Sequence, residues 1–207
     1  MSNVIDLTAD DAPPAAQPVV HDLTLDSDSD AEQAPAVRTL LLQNTPDGFV
    51  PFEHTLPPVR GGAMAWADVD RDGDMDLALS GWYDGHGSVG VFVNDGSGRF
   101  TEQRVTTAGV VQSAIHFADL NGDGLADLIV TGVMPDNTDI AISMVFLADG
   151  EGRYRFYPTQ LDSAAGASIT TADLNGDGAA DIIFAGRHLY WGDLMRIYWN
   201  YGFDNSN

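Results

Sequence analysis

Three short segments of this chain bring carboxylates together at fixed intervals. The first reads Ala67-Asp68-Val69-Asp70-Arg71-Asp72-Gly73-Asp74-Met75-Asp76-Leu77. The second runs from Ala118 through Asp119, Asn121, Asp123 and Asp127 to Leu128, and the third from Ala172 through Asp173, Asn175, Asp177 and Asp181 to Ile182. All three align without gaps on the pattern A-D-x-[DN]-x-D-G-x-x-D-[LI]. Counted from the first Asp, positions 1, 3 and 5 alternate, so a tight loop points their side-chain oxygens inward. Gly at position 6 permits the sharp turn, position 7 can offer its carbonyl, and the Asp at position 9 closes the cage. Hard oxygen donors in a flexible loop suit Ca²⁺ better than Mg²⁺, which retains water, or Zn²⁺, which prefers nitrogen and sulfur. Packed carboxylates with no cation between them would repel one another. A run of plain turns accounts for Asp, Asn and Gly as residue types, but not for their order three times over.

About three Ca²⁺ sites are therefore expected. Their side-chain ligands would be Asp68, Asp70, Asp72 and Asp76; Asp119, Asn121, Asp123 and Asp127; and Asp173, Asn175, Asp177 and Asp181. Asp74, Leu125 and Ala179 would contribute backbone carbonyls, and the extra Asp74 carboxylate favours tightest binding in the first loop. The loops are not EF-hands. The twelfth position should be a bidentate Glu, and it is Leu79, Val130 or Phe184.

The elements that must hold these loops repeat with them. Asp68 to Asp119 is 51 positions and Asp119 to Asp173 is 54, a period that implies one supersecondary unit per repeat. Five residues after each last Asp stands a glycine: Gly81, Gly132 and Gly186. An apolar stretch then leads into a turn, at Val91–Gly96, Met144–Gly150 and Ile197–Gly202. Two of these turns, at Asp95-Gly96 and Asp149-Gly150, carry hairpin signals. Apolar runs of about four to seven residues suit strands better than helices. One strand precedes each Asp loop, one follows it, and two flank the later turn. Leu40–Asn44 with Gly48-Phe49 resembles the latter half of an earlier copy. The count is two, four, four and three strands.

The Ala-Asp-Leu-Asn-Gly-Asp-Gly runs at 118–124 and 172–178 make residues 38–203 resemble the FG-GAP/VCBS repeat family, the calcium-loop blades of the integrin-α-like propeller. The resemblance implies an all-β fold: a partial β-propeller of about three four-stranded blades, with the calcium loop joining the first two strands of each. It also implies a mostly non-catalytic role in adhesion or ligand binding. Propellers close with ~4–8 blades, and this chain has fewer. An unclosed ring would leave Leu194–Tyr201 as a bare aromatic edge, an aggregation hazard. The expectation is a fragment of a longer protein, or copies that self-associate to complete a ring, or an edge otherwise covered.

Composition narrows the function further. The 207 residues carry nine basic side chains, all Arg, and 31 acidic ones, for a net charge of −22. Nucleic acid is excluded as a natural partner by that sign. There is no Cys, hence no disulfide, thiolate metal site or Cys nucleophile. No apolar run approaches the ~18 residues of a membrane span.

Residues 1–37 are a different material from 38–207. They carry eight acids and no base, no Gly and no aromatic residue. Such a stretch cannot offset its ordering entropy, so it reads as a disordered acidic tail. Within it, Val4-Ile5-Asp6-Leu7-Thr8 and Val20-His21-Asp22-Leu23-Thr24 share V-x-D-L-T, each followed by acids. Both resemble SUMO-interacting motifs, in which a short strand adds to a partner sheet and flanking acids meet basic residues. The implied contacts are Val4, Ile5, Asp6, Leu7, Val20, Asp22 and Leu23. With no Lys, the chain would read such a modifier rather than carry it. These motifs and the absence of an apolar leader favour the cytoplasm or nucleus, with an extracellular location as the alternative.

Further ligand loops are suggested by Trp82, Tyr83 and His86, and by His188, Tyr190 and Trp191, which fall at equivalent connections between second and third strands. Aromatic polar loops there can anchor a protein partner or stack on a glycan. Trp66, Phe117 and Ile169 read as core, and His116 as packed or channel-lining. No Ser-His-Asp order or paired acid–base constellation appears, so no catalytic residue is assigned and the chain is read as no enzyme. The leading reading is a calcium-binding interaction module. The alternatives are a carbohydrate-binding lectin, or the scaffold part of a larger polysaccharide-cleaving or phospholipase enzyme.

Overall fold

The computed structural model describes residues 37–202 apart from Thr107 and Trp191, with the backbone alone at Thr138. The tail residues Val4, Ile5, Asp6, Leu7, Val20, Asp22 and Leu23 lie outside the described residues, as does Trp191.

Every regular element described is a strand, and every pairing is antiparallel. A two-stranded hairpin comes first, β1 (Leu41–Thr45) and β2 (Gly48–Phe52). A four-stranded sheet follows, of β3 (Arg60–Ala67), β4 (Asp76–Tyr83), β5 (His86–Asn94) and β6 (Phe100–Thr106), paired in chain order. The next four strands repeat this: β7 (Val111–Ala118), β8 (Asp127–Met134), β9 (Asn137–Ala148) and β10 (Tyr154–Tyr157). The last sheet has three, β11 (Ala165–Ala172), β12 (Asp181–His188) and β13 (Gly192–Tyr198). Each Asp segment is the connection from the first to the second strand of its sheet, as the sequence predicts.

The recurring glycine has a geometric cause. The first and second strands of each sheet slip register at one place, between Arg60 and Ala63, Val111 and Ala114, and Ala165 and Ser168. Gly81, Gly132 and Gly186 lie against these three bulges. A Cβ at Gly132 would stand 2.9 Å from the Val111 carbonyl oxygen, and one at Gly186 2.9 Å from the Ala164 and Ala167 Cβ atoms. A bulge brings two backbones this close only where a side chain is absent.

The second strands β4 and β8 are buried on both faces, so they read as continuous apolar runs rather than alternations. Leu128 and Val130 point into the cluster shared with β4 and β5, beside Val69, Ala78, Val89 and Val91. Ile129 points the other way, to Leu120, Val145, Leu147 and Ile182. A third cluster joins Leu56, Leu77, Leu79, Phe92 and Phe100 with Leu41 of the hairpin. The first strands line up, β7 packing between β3 and β11.

The last sheet has one face uncovered. Val69 and Leu120, at the second position of their loops, are fully buried by the sheet that follows; Leu174, at the same position, is 47% exposed. Val91 and Val145, opposite Ala78 and Ile129, are 0% exposed, whereas Ile197, opposite Ile183, is 46% exposed. Met195 and Trp199 are exposed on the same strand or just beyond it. Trp66 corrects the sequence reading: it is 42% exposed, at the other open end of the stack, because no full sheet precedes β3. Phe117 and Ile169 do pack against the clusters.

Candidate metal centre

Each Asp loop is built on two backbone locks. The first is its last Asp. Asp76, Asp127 and Asp181 are all fully buried, and each uses both carboxylate oxygens. One oxygen accepts the amide of the loop's second residue: Val69 N to Asp76 Oδ2 at 2.7 Å, Leu120 N to Asp127 Oδ2 at 2.9 Å, Leu174 N to Asp181 Oδ2 at 3.0 Å. The other accepts an amide at the end of the third strand: Asn94 N, Ala148 N and Asn200 N, each at 2.8 Å. The ninth-position Asp therefore ties the start of its loop to the third strand, whatever else it binds. Charge-assisted bonds of this kind are the stronger class.

The second lock is the alternation itself. Asp72 N donates to Asp70 Oδ1 at 3.3 Å, and Asp74 N to Asp72 Oδ1 at 2.9 Å. The same i to i+2 bonds recur at Asn121–Asp123–Leu125 and Asn175–Asp177–Ala179. These Asx turns curl the chain so that alternate side chains share one side.

The three loops differ in what the remaining oxygens do. In the first, Asp68, Asp70 and Asp76 each place one carboxylate oxygen within 4.8 Å of the others, so the three could hold a metal ion. Asp68 Oδ2 accepts Gly73 N at 3.1 Å, but its Oδ1 is buried and accepts no hydrogen bond among the described residues. Asp68 Oδ1 is thus a buried acceptor left without a donor beside two further carboxylates, and a hard divalent cation meets that demand. The Asp72 oxygen is engaged by Asp74 N, and the Asp74 carboxylate lies against Gly96 in the β5–β6 turn. Arg71 reaches outward instead, donating from Nη2 to the Asp123 carbonyl of the second loop at 3.3 Å.

In the second and third loops the first Asp is engaged by backbone on both oxygens. Asp119 accepts from Gly122 N and Gly124 N at 2.7 and 2.8 Å, and Asp173 from Gly176 N and Gly178 N at 2.7 and 3.0 Å. Asn121 and Asn175 donate through Nδ2 to Asp123 and Asp177 at 2.8 Å. Replacing the position 3 Asp of loop one by Asn supplies an internal donor, and these loops hold themselves together by hydrogen bonds. Leu125 and Ala179 sit at their bends, half-buried.

Electrostatics follow burial. Desolvation raises the Asp76 carboxyl above its ordinary value, with Asp70 and Asp72 adding repulsion, against the lowering effect of its two backbone donors. Asp127 is pushed up to about 6, first by burial, with Asp123 and Asp119 adding to it. Asp173, in the open third loop, is lowered by the Gly178 amide and its neighbours. Asp76 and Asp127 are thus the loop anions that a cation would relieve.

The aromatic connections separate into unlike parts. Trp82 is part-exposed, but Tyr83 is 2% exposed, its ring on Phe92 and its hydroxyl donating to Glu102 Oε1 at 3.2 Å. Tyr83 belongs to the core, because β4 extends through it and neighbouring strand residues face opposite ways. His86 Nε2 meets Arg104 Nη1 at 2.9 Å. His188 Nδ1 accepts Tyr190 N at 3.1 Å, and Tyr190 is 80% exposed. His116 is half-buried between sheets, with Nε2 at 3.2 Å from Thr171 Oγ1.

One functional residue escaped the sequence reading. Asn200, 6% exposed, donates from Nδ2 to the Leu120 carbonyl at 2.7 Å and to Ala180 O at 3.1 Å. Its signal is the Asn that closes the third-strand apolar run in both Val91–Asn94 and Ile197–Asn200, at the end of β5 and two residues past β13.

Residues 68–130, from the first Asp of loop one through the whole second loop and into β8, match the family model described as the FG-GAP-like repeat. No curated protein matches the chain. Among the described residues, no helix is long and apolar enough to cross a membrane.

Proposed function

We propose that this chain, an FG-GAP-like repeat over residues 68–130, is a non-catalytic, calcium-binding module of propeller type that serves protein interaction. The orphaned Asp68 Oδ1 beside Asp70 and Asp76 carries the calcium reading. The ion's chemistry there is structural: it neutralises the carboxylates of Asp68 and Asp70 in the loop and of Asp76 at the start of β4, and so fixes the loop that joins β3 to β4. Asp119, Asn121, Asp123 and Asp127, with Asp173, Asn175, Asp177 and Asp181, are the corresponding sets in the second and third loops. Their first Asp would exchange backbone amides for the ion on binding, so these sites bind more weakly than loop one.

Thermal unfolding in Ca²⁺ against EGTA tests this. A ligand at 100 times its dissociation constant stabilises the folded state by about 2.7 kcal/mol. The melting temperature should rise with Ca²⁺, and Asp68→Ala should remove most of the rise. An unchanged melting temperature at millimolar Ca²⁺ would reject the reading.

The interaction role rests on the uncovered face of the last sheet, with Leu174, Met195, Ile197 and Trp199 exposed. In the two preceding sheets the matching positions are covered by a sheet of the same kind, and a second copy of this chain can supply one. The V-x-D-L-T segments of the tail are proposed to recruit a SUMO-type modifier. Titration of labelled protein with that modifier, and with Leu7→Ala and Leu23→Ala together, tests the tail separately.

A further inference from the structure

Successive sheets meet twice in this molecule, and the two junctions differ at one corresponding place. Between the first and second four-stranded sheets, the segment before β7 presses onto the start of β5. A Cβ on Gly109 would stand 1.9 Å from the Gly87 carbonyl carbon, and one on Gly87 would stand 2.4 Å from Pro135 Cγ. Two glycines and a proline thus close that junction. By register, Gly87 pairs with Trp82 as Ala141 pairs with Val133, and Gly109 corresponds to Ser163. Both glycines are replaced at the second junction, and a cleft of about 320 Å³ opens there, lined by Ala141, Ser163 and their neighbours.

The walls of this cleft are chemically specific. Asp139 and Asp162 bring two carboxylates, Leu161 an apolar floor, and His188 and Tyr190 two rings with centroids 5.9 Å apart. Asp162 is fixed in place: its Oδ2 accepts the Tyr198 hydroxyl at 2.8 Å and Arg196 Nε at 3.0 Å, while its own amide donates to the Tyr198 hydroxyl at 2.8 Å. A guanidinium already sits on one rim. Asp139 is exposed, and its carboxylate has no hydrogen bond or ion pair among the described residues. With Arg196 counted, the cleft keeps a negative balance within a chain of net charge −22.

We propose that this cleft binds a cationic side chain, an arginine or lysine, of a protein partner. A carboxylate beside an exposed aromatic face attracts a guanidinium twice, by charge and by the ring quadrupole. The long-range field of the chain steers a basic segment towards it. A neutral sugar could use the carboxylates as acceptors but would gain nothing from that field. The inference names the partner chemistry for the interaction role proposed above and depends on that role, but not on calcium.

The test is fluorescence anisotropy with the full chain, in Ca²⁺ and again in EGTA. The probe is a labelled Gly-Arg-Gly-Arg-Gly-Arg peptide, and the control peptide carries neutral citrulline in place of arginine. The arginine peptide should bind and the citrulline peptide should not. Asp139→Asn and Tyr190→Ala should each weaken binding by roughly 5- to 20-fold, and Tyr190→Phe should retain it. Asp47→Asn, an equal charge loss on the distant β1–β2 turn, should leave the affinity unchanged. An equal loss in Asp47→Asn would show diffuse attraction and overturn the proposal. So would citrulline binding as well as arginine, no binding at millimolar peptide, or displacement by a neutral trisaccharide, which would make the cleft a glycan site. Binding that survives EGTA and is lost in Asp139→Asn supports the cleft even where calcium fails to bind.

Discussion

Asn200 holds the Leu120 carbonyl at 2.7 Å across eighty residues of chain. The bond joins the end of the last strand to the Asp loop of the preceding sheet, and the same amide also caps Ala180 O at the third loop. Two loops of the repeat are thus fastened to one buried side chain.

Asn200→Ala should destabilise the protein by about 1–3 kcal/mol, since it removes the donor that Asn200 gives to the Leu120 and Ala180 carbonyls. Urea unfolding followed by tryptophan fluorescence measures it. A loss under 0.5 kcal/mol would mean that water replaces the amide without penalty.

Asp127→Ala should cost roughly 2–4 kcal/mol in calcium-free protein, because it leaves the buried Leu120 and Ala148 amides without acceptors. The strain of a buried charge is relieved in the same substitution, which keeps the loss below the sum of two orphaned amides. The comparison is made in EGTA, so that any ligand role of Asp127 does not enter.

Much of the architecture could be read from the residue pattern, and the reasons are specific. The order of Asp, Asn and Gly located the three connections because each position has a separate geometric task. The glycine five residues on was visible as part of the repeat, but the bulge that needs it was not. Short apolar runs and the turns between them then led to the strand count of each sheet. What escaped was anything set by a neighbour. Whether Trp66 or Leu174 is buried depends on a sheet beyond its own. Tyr83 looked like part of a loop because it stands in the run Trp82-Tyr83-Asp84-Gly85-His86, and only the length of β4 turns it inward. That Asp76, Asp127 and Asp181 lock backbone amides was hidden because a candidate metal ligand and a backbone lock have the same one-letter code. The first strands packing side by side, and the closed and open junctions at Gly109 and Ser163, are relations between sheets that no single repeat displays.

Gly132→Ala tests the bulge. The added methyl would stand 2.9 Å from Val111 O and 3.0 Å from Ser113 Cβ and Val110 Cβ. Two strands must shift to admit it, at a cost of about 1–3 kcal/mol. The measurement is the denaturation midpoint at unchanged m-value; a neutral result would show that the bulge is not tight.

His116 sets a pH dependence. Burial holds its imidazole below the ordinary value of 6.5, so the folded state takes up a proton less readily than the unfolded chain. Its contribution to stability is present above that value and is lost as pH falls through 6.5 towards the lowered folded value. Asp127, raised to about 6 from 3.8, acts oppositely: its contribution is present at low pH and is lost as pH rises through that window. The difference between wild type and His116→Gln isolates the histidine. The variant should lose less stability than wild type between pH 7.5 and 5.5, and parallel curves would refute the assignment.

The open face of the last sheet predicts association. Sedimentation should show concentration-dependent self-association that Ile197→Glu abolishes without altering the circular dichroism of the monomer. A monomer at all concentrations in wild type would mean that a second copy does not cover this face.

Isothermal titration of calcium into chelator-stripped protein tests the central claim most directly. The account predicts about three sites, the tightest lost in Asp68→Ala and the weaker ones retained. No heat at millimolar Ca²⁺, or a tightest site that survives Asp68→Ala, would contradict it.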